Sequence, residues 1–412
     1  MAFTGVDLDM TEFDAMLKEL YPAGVPQNVA VKRHPFLSMV KKLDDFEGDA
    51  LVLPIIYENP GGRSATFADA QTYANASRSK KWTLTQIRDY AVVNVDALTI
   101  RASRSNKGAF LNARKMEVDL MLKSLGNSAA HACYRSGYGA LGQVASAPDG
   151  VVTTITLADN DDARNFAVGG AYVFTLAANG TTPSALATKN ELTGVNEKTG
   201  VLTFASAIDA AVDTNDYIFQ HGDVNTTTGA ALKMTGLAGW LPVTDPSGGE
   251  SFFGVDRSIH RTRLAGHVVD ATGNSIEENI LTLSEEIVRQ GGHPEKCFIS
   301  HSNFSNLIKG LGTKVEYDGA GGTAGVGFGG VQIHTSAGPV MVHPDPDCPN
   351  NRGYVLQMDT WAIHHLDAFP HIDNTDGNNA LRQSAADGIE VRARYWAQLA
   401  CVAPGWNGVF TI

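Results

Sequence analysis

Lys107–Ser136, KGAFLNARKMEVDLMLKSLGNSAAHACYRS, is the stretch whose reading decides the fold. Val118, Met121, Leu122, Leu125, Ala129, Ala132 and Cys133 recur at steps that keep to one face of an α-helix, and no proline interrupts the run. A second stripe, Phe110, Ala113, Met116 and Leu120, points elsewhere around the cylinder, so two partners clamp the helix. At ~1.5 Å per residue, a helix of some thirty residues spans about 45 Å and acts as a strut. Gly126 weakens it by about 1 kcal/mol relative to alanine, so packing must hold it straight.

Around this helix the chain has 412 residues, enough for two to four domains with substantial cores. A hydrophobic content of 43% excludes general disorder, and a charged fraction of 18% suits a surface largely covered by partners. The net charge of −12 argues against a dedicated nucleic-acid binder, whose mark is a basic excess. The charge is divided along the chain. Residues 78–135 carry eleven Lys and Arg against four Asp and Glu, whereas residues 149–223 carry three against ten. Four cysteines far apart in sequence, Cys133, Cys297, Cys348 and Cys401, form no CxxC pair and read as free thiols of a reducing compartment. The N-terminus lacks an apolar signal core, and no apolar run approaches 18 residues.

Thr11 caps a short helix with Phe13, Met16, Leu17 and Leu20 on one face, too small to bury itself and read as an arm laid on something else. From Asp49 strands take over. ALVLPIIYEN, the turn Asn59-Pro60-Gly61-Gly62, a polar segment and WTLTQIRDYAVVNVDALTI form a long two-armed hairpin returning near Ile100. Short β runs between Asp149 and Asp223 read as an inserted all-β barrel or sandwich. Its aromatics Phe166, Tyr172, Phe174, Phe204, Tyr217 and Phe219 are the candidates for stacking on a sugar. Beyond Ser258 helix and strand alternate, and Ser275 with Glu278 makes a capping box. The class is mixed α+β.

The catalytic signals are weak. Gly325, Gly327 and Gly330 fit GxGxxG, but a strand-like run follows instead of a helix, so a glycine loop is the better reading. His343, Asp345, Asp347 and Cys348 in HPDPDC, with His364-His365 nearby, are metal-capable donors, yet two prolines make the first group a rigid turn and adjacent histidines on a strand face opposite ways. Ser77 and Lys80 match SxxK only by spacing. No catalytic residue, cofactor site or metal site is assigned.

The phrases PIIYENPGGRSATFADAQ (54–71), SKKWTLTQIRDYA (79–91), NKGAFLNA (106–113), GLAGWLP (236–242), HPDPDCP (343–349) and ADGIEVRARYWAQLACVAPGWNG (386–408) resemble sequences of tailed-bacteriophage major capsid proteins with the Hong Kong 97-like fold. The resemblance runs from about Val40 to the end and is specific as an ensemble. It implies an N-terminal arm (1–43), an extended E-loop (44–100), a P domain with a spine helix (101–148, resuming at 224–257), a β-rich insertion (149–223), an A domain (258–367) and a C-terminal P-domain strand returning to the A domain (368–412). It further implies a structural, non-enzymatic protein that forms hexamers and pentamers of an icosahedral head in the host bacterial cytoplasm. Its implied partners are a portal protein, a separate scaffolding protein, a decoration protein and enclosed double-stranded DNA.

The charge division then acquires a role. Residues 44–73 hold six acidic residues and one arginine, so Asp45, Glu47 and Asp49 are expected near a neighbour's Lys107, Arg114, Lys115 or Lys123. Asn59, Gly61, Gly62 and Arg63 are expected at the same subunit interface. Gly321, Gly322, Gly325, Gly327, Gly329 and Gly330 are expected in a loop at the capsomer centre. The alternative readings are another encapsulating or surface-layer protein with a glycan-binding β insertion and, third, a metal-dependent enzyme.

Overall fold

In a computed structural model, the structure describes residues 34–102, 113–148, 152–181, 190–225, 227–270, 273–311, 331–374, 377–383 and 386–412. The helix expected after Thr11, the helix entry at Lys107 and the glycine loop at 321–330 lie outside the described residues. The described chain begins with helix α1 (Pro35–Met39) and strand β1 (Lys41–Leu43). Strands β2 (Ala50–Glu58) and β3 (Arg78–Thr85) then form a two-stranded antiparallel ribbon, with Leu51 opposite Leu84 and Leu53 opposite Trp82. Helix α2 (Phe67–Thr72) sits at its tip, capped by the Thr66 side chain accepting from the Asp69 N–H.

The ribbon is shorter than the expected hairpin. Strand β4 (Ile87–Asp96) leaves it to pair antiparallel with β18 (Gly388–Cys401), from Ile87 opposite Ala397 to Asp96 opposite Gly388. A lone two-stranded ribbon is marginal in water, whereas β4 joins a five-stranded sheet and buries Val95 completely. Residues 86–100 therefore belong to the central sheet and to helix α3 (Ala97–Ala102), not to a hairpin arm.

That sheet runs β1-β16-β18-β17, with β16 at Trp361–Ile372, β17 at Leu381–Arg382 and β4 also paired to β18. Helix α4 (Ala113–Tyr134), about 33 Å long at ~1.5 Å per residue, lies across one face. It buries Met121, Leu125, Ala129, Ala132 and Cys133, the stripe its spacing marks, and leaves Lys115, Asp119 and Lys123 exposed. A Cβ at Gly126 would meet nothing within 4 Å. Gly126→Ala is accordingly expected to stabilise the protein by about 0.5–1 kcal/mol, read as a raised denaturation midpoint. Helix α5 (Leu237–Trp240) completes this core, where Trp82, Trp240 and Trp361 are fully buried.

Strands β5 (Ala140–Gln143), β6 (Thr154–Thr156), β7 (Ala171–Thr175), β8 (Asn190–Asn196), β9 (Val201–Phe204) and β10 (Tyr217–Gln220) form one sheet in the order β5-β10-β7-β8-β9-β6. Its ends meet. Val144 bridges Leu157, and the Ala145 and Ala158 N–H groups donate to the Thr156 and Gln143 carbonyls at 2.9 and 2.8 Å, closing a barrel. The barrel has its own core, from Val144 and Ile155 through Phe174 and Leu202 to Ile218. It starts at β5, ahead of the expected boundary at 149, because β10 needs β5 as its edge partner. Since β5 and β10 are paired, the chain enters and leaves at neighbouring points. A fragment of residues 138–224 is expected to fold alone, giving a cooperative thermal transition by circular dichroism, while residues 149–223, which lack one strand of six, give none.

The last lobe adds α6 (Arg261–Ala265), β11 (His267–Val269), α7 (Ile276–Arg289), β12 (Lys296–Ile299), α8 (His301–Leu311), β13 (Val331–Thr335), β14 (Gly338–Pro344), β15 (Arg352–Leu356) and β19 (Gly408–Thr411). These strands form a mixed sheet, β11-β19-β15-β12-β14-β13. The capping box at Ser275 and Glu278 is present in both directions, and Ile280, Leu283 and Ile287 of α7 are buried against the sheet. This lobe ends at β15, ahead of the expected 367: β16 crosses into the central sheet, and only β19 returns.

Candidate assembly surfaces

The ribbon tip is built by short-range chemistry. The Gly61 N–H donates to Asn75 Oδ1 at 2.5 Å, and Gly62 has φ +93°. A Cβ on Gly62 would lie 2.6 Å from Ala74 Cα and 2.9 Å from the Ala70 carbonyl, so glycine is what lets α2 fold back over the turn. Asn59 and Arg63 are exposed there. The tip also presents apolar side chains that the charge reading overlooked: Phe67 is 82% exposed and Tyr73 72%. ATFADAQ carried the signal, an apolar residue directly after a capping threonine.

At the ribbon base the acidic residues divide. Because β1 pairs in parallel with Ala362–His364 of β16, the chain emerges beside His364, and Asp45 Oδ1 lies 2.7 Å from His364 Nδ1. Asp45 thus has a partner in its own chain. Glu47 and Asp49 remain exposed. Of the basic positions, Lys115 and Lys123 lie on the open side of α4, Arg114 is in its first turn, and Lys107 lies outside the described residues, as do Gly321, Gly322, Gly325, Gly327, Gly329 and Gly330.

HPDPDC is a clasp. Asp345, almost fully buried, accepts from the Phe36 N–H at 3.0 Å and from the Asp347 N–H at 3.0 Å. His34 bridges Asp347 Oδ2 (2.5 Å) and Asn127 Oδ1 of α4 (2.7 Å), while Phe36 packs edge-on against Phe298 at 5.3 Å. The turn thereby fixes the start of the described chain to both α4 and the β12 lobe. Asp345 and Asp347 are engaged by these contacts, His343 stacks on Phe298 at 5.7 Å, and Cys348 is buried beside them. Among the described residues no three His, Cys, Asp or Glu side chains gather as a metal set. Burial opposes charging of His34, but Asp347, Asn127 and Asp345 outweigh it and raise its pKa. The sign follows: this contact stabilises fully below the unfolded-state value of ~6.5 and is lost as pH rises through the raised folded value. An NMR titration is expected to place His34 above 6.5, and His34→Ala to remove that pH dependence from protease resistance near residue 34.

A second buried polar group joins three parts of the fold. Lys233 Nζ lies 3.0 Å from Asp89 Oδ1 and 3.1 Å from Asp223 Oδ2. Asp89 on β4 also accepts from Ser128 Oγ of α4 (2.7 Å) and Tyr395 OH of β18 (3.2 Å). Burial disfavours the charged amine, yet the two carboxylates hold the Lys233 pKa above its ordinary value; burial pushes Asp223 upward. Only the folded sheet brings residues 89, 223 and 233 together, so sequence spacing gave no hint of the group.

The proposed sugar-stacking aromatics are not available for that task. Phe166, Tyr172, Phe174, Phe204 and Phe219 are all buried, leaving only Tyr217 half-buried. Phe166, Tyr172, Phe174 and Phe204 pack into the barrel core, and Phe219, next to the core residue Ile218 on β10, is buried on the opposite face, so these five offer no aromatic-lined glycan surface.

Residues 194–380 match the family model described as SU10 major capsid protein. The capsid asymmetric unit of cyanophage A-1(L) superposes with a TM-score of 0.55 at 12% identity, covering 98% of this chain and 99% of that one. The capsid of an empty GTA particle superposes with a TM-score of 0.51 at 8% identity, covering 96% and 95%. No curated protein matches the sequence. Ribbon, strut, central sheet and outer lobe thus share the fold of these capsid structures. The chain has the Hong Kong 97-like fold found in these phage capsid proteins.

Proposed function

We propose that many copies of this chain assemble as hexamers and pentamers into the icosahedral head of a tailed phage, enclosing double-stranded DNA within the virion. The observation that carries this reading is the ribbon, which projects a tip with Phe67 and Tyr73 largely exposed; large exposed apolar groups concentrated on one projection mark a surface meant for a partner. The ribbon serves as the E-loop, the central sheet with α4 as the P domain, the β12 lobe as the A domain, and the barrel as an outward insertion. Residues 1–43 serve as an arm, and the glycines of 321–330 as the loop at the capsomer centre. A shell acts through geometry, so the chain needs no catalytic turnover. Its net charge of −12 suits confinement of DNA without tight binding. A portal protein, a separate scaffolding protein and a decoration protein complete the assembly, which takes place in the host bacterial cytoplasm.

Within the capsomer, Glu47 and Asp49 of one copy approach Lys115 and Lys123 of the next. Each exposed pair contributes only about 0–1 kcal/mol, and repetition over many copies gives the total its weight. Sedimentation velocity tests both levels. The wild-type protein, produced with phage assembly factors, is expected to sediment as large particles as well as the 43.8 kDa chain. Lys115→Glu with Lys123→Glu is expected to shift the salt dependence of particle yield, and an unchanged salt profile refutes the pairing.

A further inference from the structure

We propose that the cleft between α4 and the barrel seats residues 11–20 of the same chain, with Phe13, Met16, Leu17 and Leu20 turned into it. The cleft measures about 670 Å³. Its α4 wall is Ser124, Asn127 and His131, and its barrel wall includes Phe166 and Val168, the latter 64% exposed. Gly139 and Gly170 also line it, so short side chains leave space that larger ones would fill. The cations that line it are engaged already: Arg135 with Asp162 at 2.8 Å, Arg164 with Asp161 at 2.5 Å, and Lys233 with Asp89 and Asp223. An anionic ligand would have to break an ion pair, whereas an apolar occupant would not.

The α4 wall belongs to a longer face. Met116, Leu120, Ser124, Asn127 and His131 follow one another at steps of three or four residues and share one side of the helix, away from the stripe that α4 buries in the core. Met116 and Leu120 are only partly buried and stand outside the core cluster. From Met116 to Asn127 this face runs about 17 Å, and a ten-residue helix covers about 15 Å. The described chain begins on the same face: His34 bonds Asn127 Oδ1 at 2.7 Å and Asp347 Oδ2 at 2.5 Å, and both residues line the cleft. Residues 1–33 therefore leave from its rim. The stretch between Leu20 and His34 spans up to about 45 Å when extended, enough to bring residues 11–20 back along α4. Within that segment Phe13, Met16, Leu17 and Leu20 share one helical face, the complement of an apolar cleft. The tether holds it there at an effective concentration on the order of millimolar, which favours it over the same segment of a free copy.

Both partners belong to one chain, so the contact forms with or without a shell, and its failure would leave the capsid reading standing. The test uses unassembled full-length protein carrying Leu17→Cys with Ser124→Cys, and a second pair, Leu20→Cys with Val168→Cys, because a single pair can miss disulfide geometry. The four native cysteines are buried and give little background. After mild oxidation of dilute protein, at least one pair is expected to give a disulfide-linked peptide in a band of monomer mass, which the single variants lack. In parallel, Leu17→Asp with Leu20→Asp is expected to speed hydrogen exchange of residues 124–131 at least threefold while residues 276–289 exchange as in wild type. Both results are required. Absence of any linked peptide, or exchange of residues 124–131 equal to wild type, overturns the proposal. A disulfide found only in dimers gives the cleft to residues 1–33 of another copy and overturns it as well.

Discussion

Replacing Trp240 by alanine is expected to destabilise the protein by about 3–5 kcal/mol, a large share of the ~5–15 kcal/mol that holds a typical fold. The indole is fully buried where ribbon, central sheet and the 252–253 turn converge. Its ring packs edge-on against Trp82 (5.3 Å), Phe252 (5.1 Å) and Trp361 (6.5 Å), and tilted against Phe253 at 5.5 Å. Nε1–H donates to the Leu399 carbonyl at 3.0 Å. Alanine leaves a cavity walled by four aromatic rings that cannot all collapse into it, and it also removes that hydrogen bond. Trp240→Phe keeps much of the volume and loses only the donor, so its expected cost is nearer 1–3 kcal/mol. Chemical denaturation of the unassembled chain separates the two. A Trp240→Ala midpoint close to wild type would contradict the account of this core.

Gly236→Ala is expected to cost about 3 kcal/mol or more, at the upper end of what overpacking does. The conformation of Gly236 is ordinary, with φ −93°; the constraint is space. An added Cβ would lie 2.2 Å from the Cys133 carbonyl oxygen and 2.3 Å from that of Ala132. Both belong to the backbone of the last turn of α4, so no side chain can rotate away. The approach is held from both sides, because the Gly236 N–H donates to the Arg135 carbonyl at 2.9 Å and the Thr235 N–H to Gln398 Oε1 at 3.0 Å. Alanine must therefore push α5 off the strut. Denaturation measures the cost, and faster hydrogen exchange confined first to residues 129–137 would locate it.

The contrast between these positions and Gly126 shows how far the sequence is legible. Periodicity finds α4 and its buried stripe because the pattern is local, and the same holds for the capping box at Ser275 and Glu278 and for the inward alternation of the barrel. That Gly126 is open while Gly236 is crowded depends on which elements meet, and periodicity is silent about that. The strand character of β4 was readable, but its partner β18 lies some 300 residues away, so proximity in sequence assigned it to the wrong neighbour. HPDPDC stood out as a cluster of polar donors; its use as a clasp needed His34, Phe36 and Asn127, which no spacing connects to it. Charge runs pointed to the ribbon as an interface, but they missed that its tip is apolar and that Asp45 is engaged by His364 within its own chain.

The most direct test is negative-stain electron microscopy of the purified full-length protein, alone and after co-expression with phage assembly factors. Pentameric and hexameric rings, or closed shells built from them, are the predicted result. A protein that remains a lone monomer under every one of these conditions would contradict the capsid account.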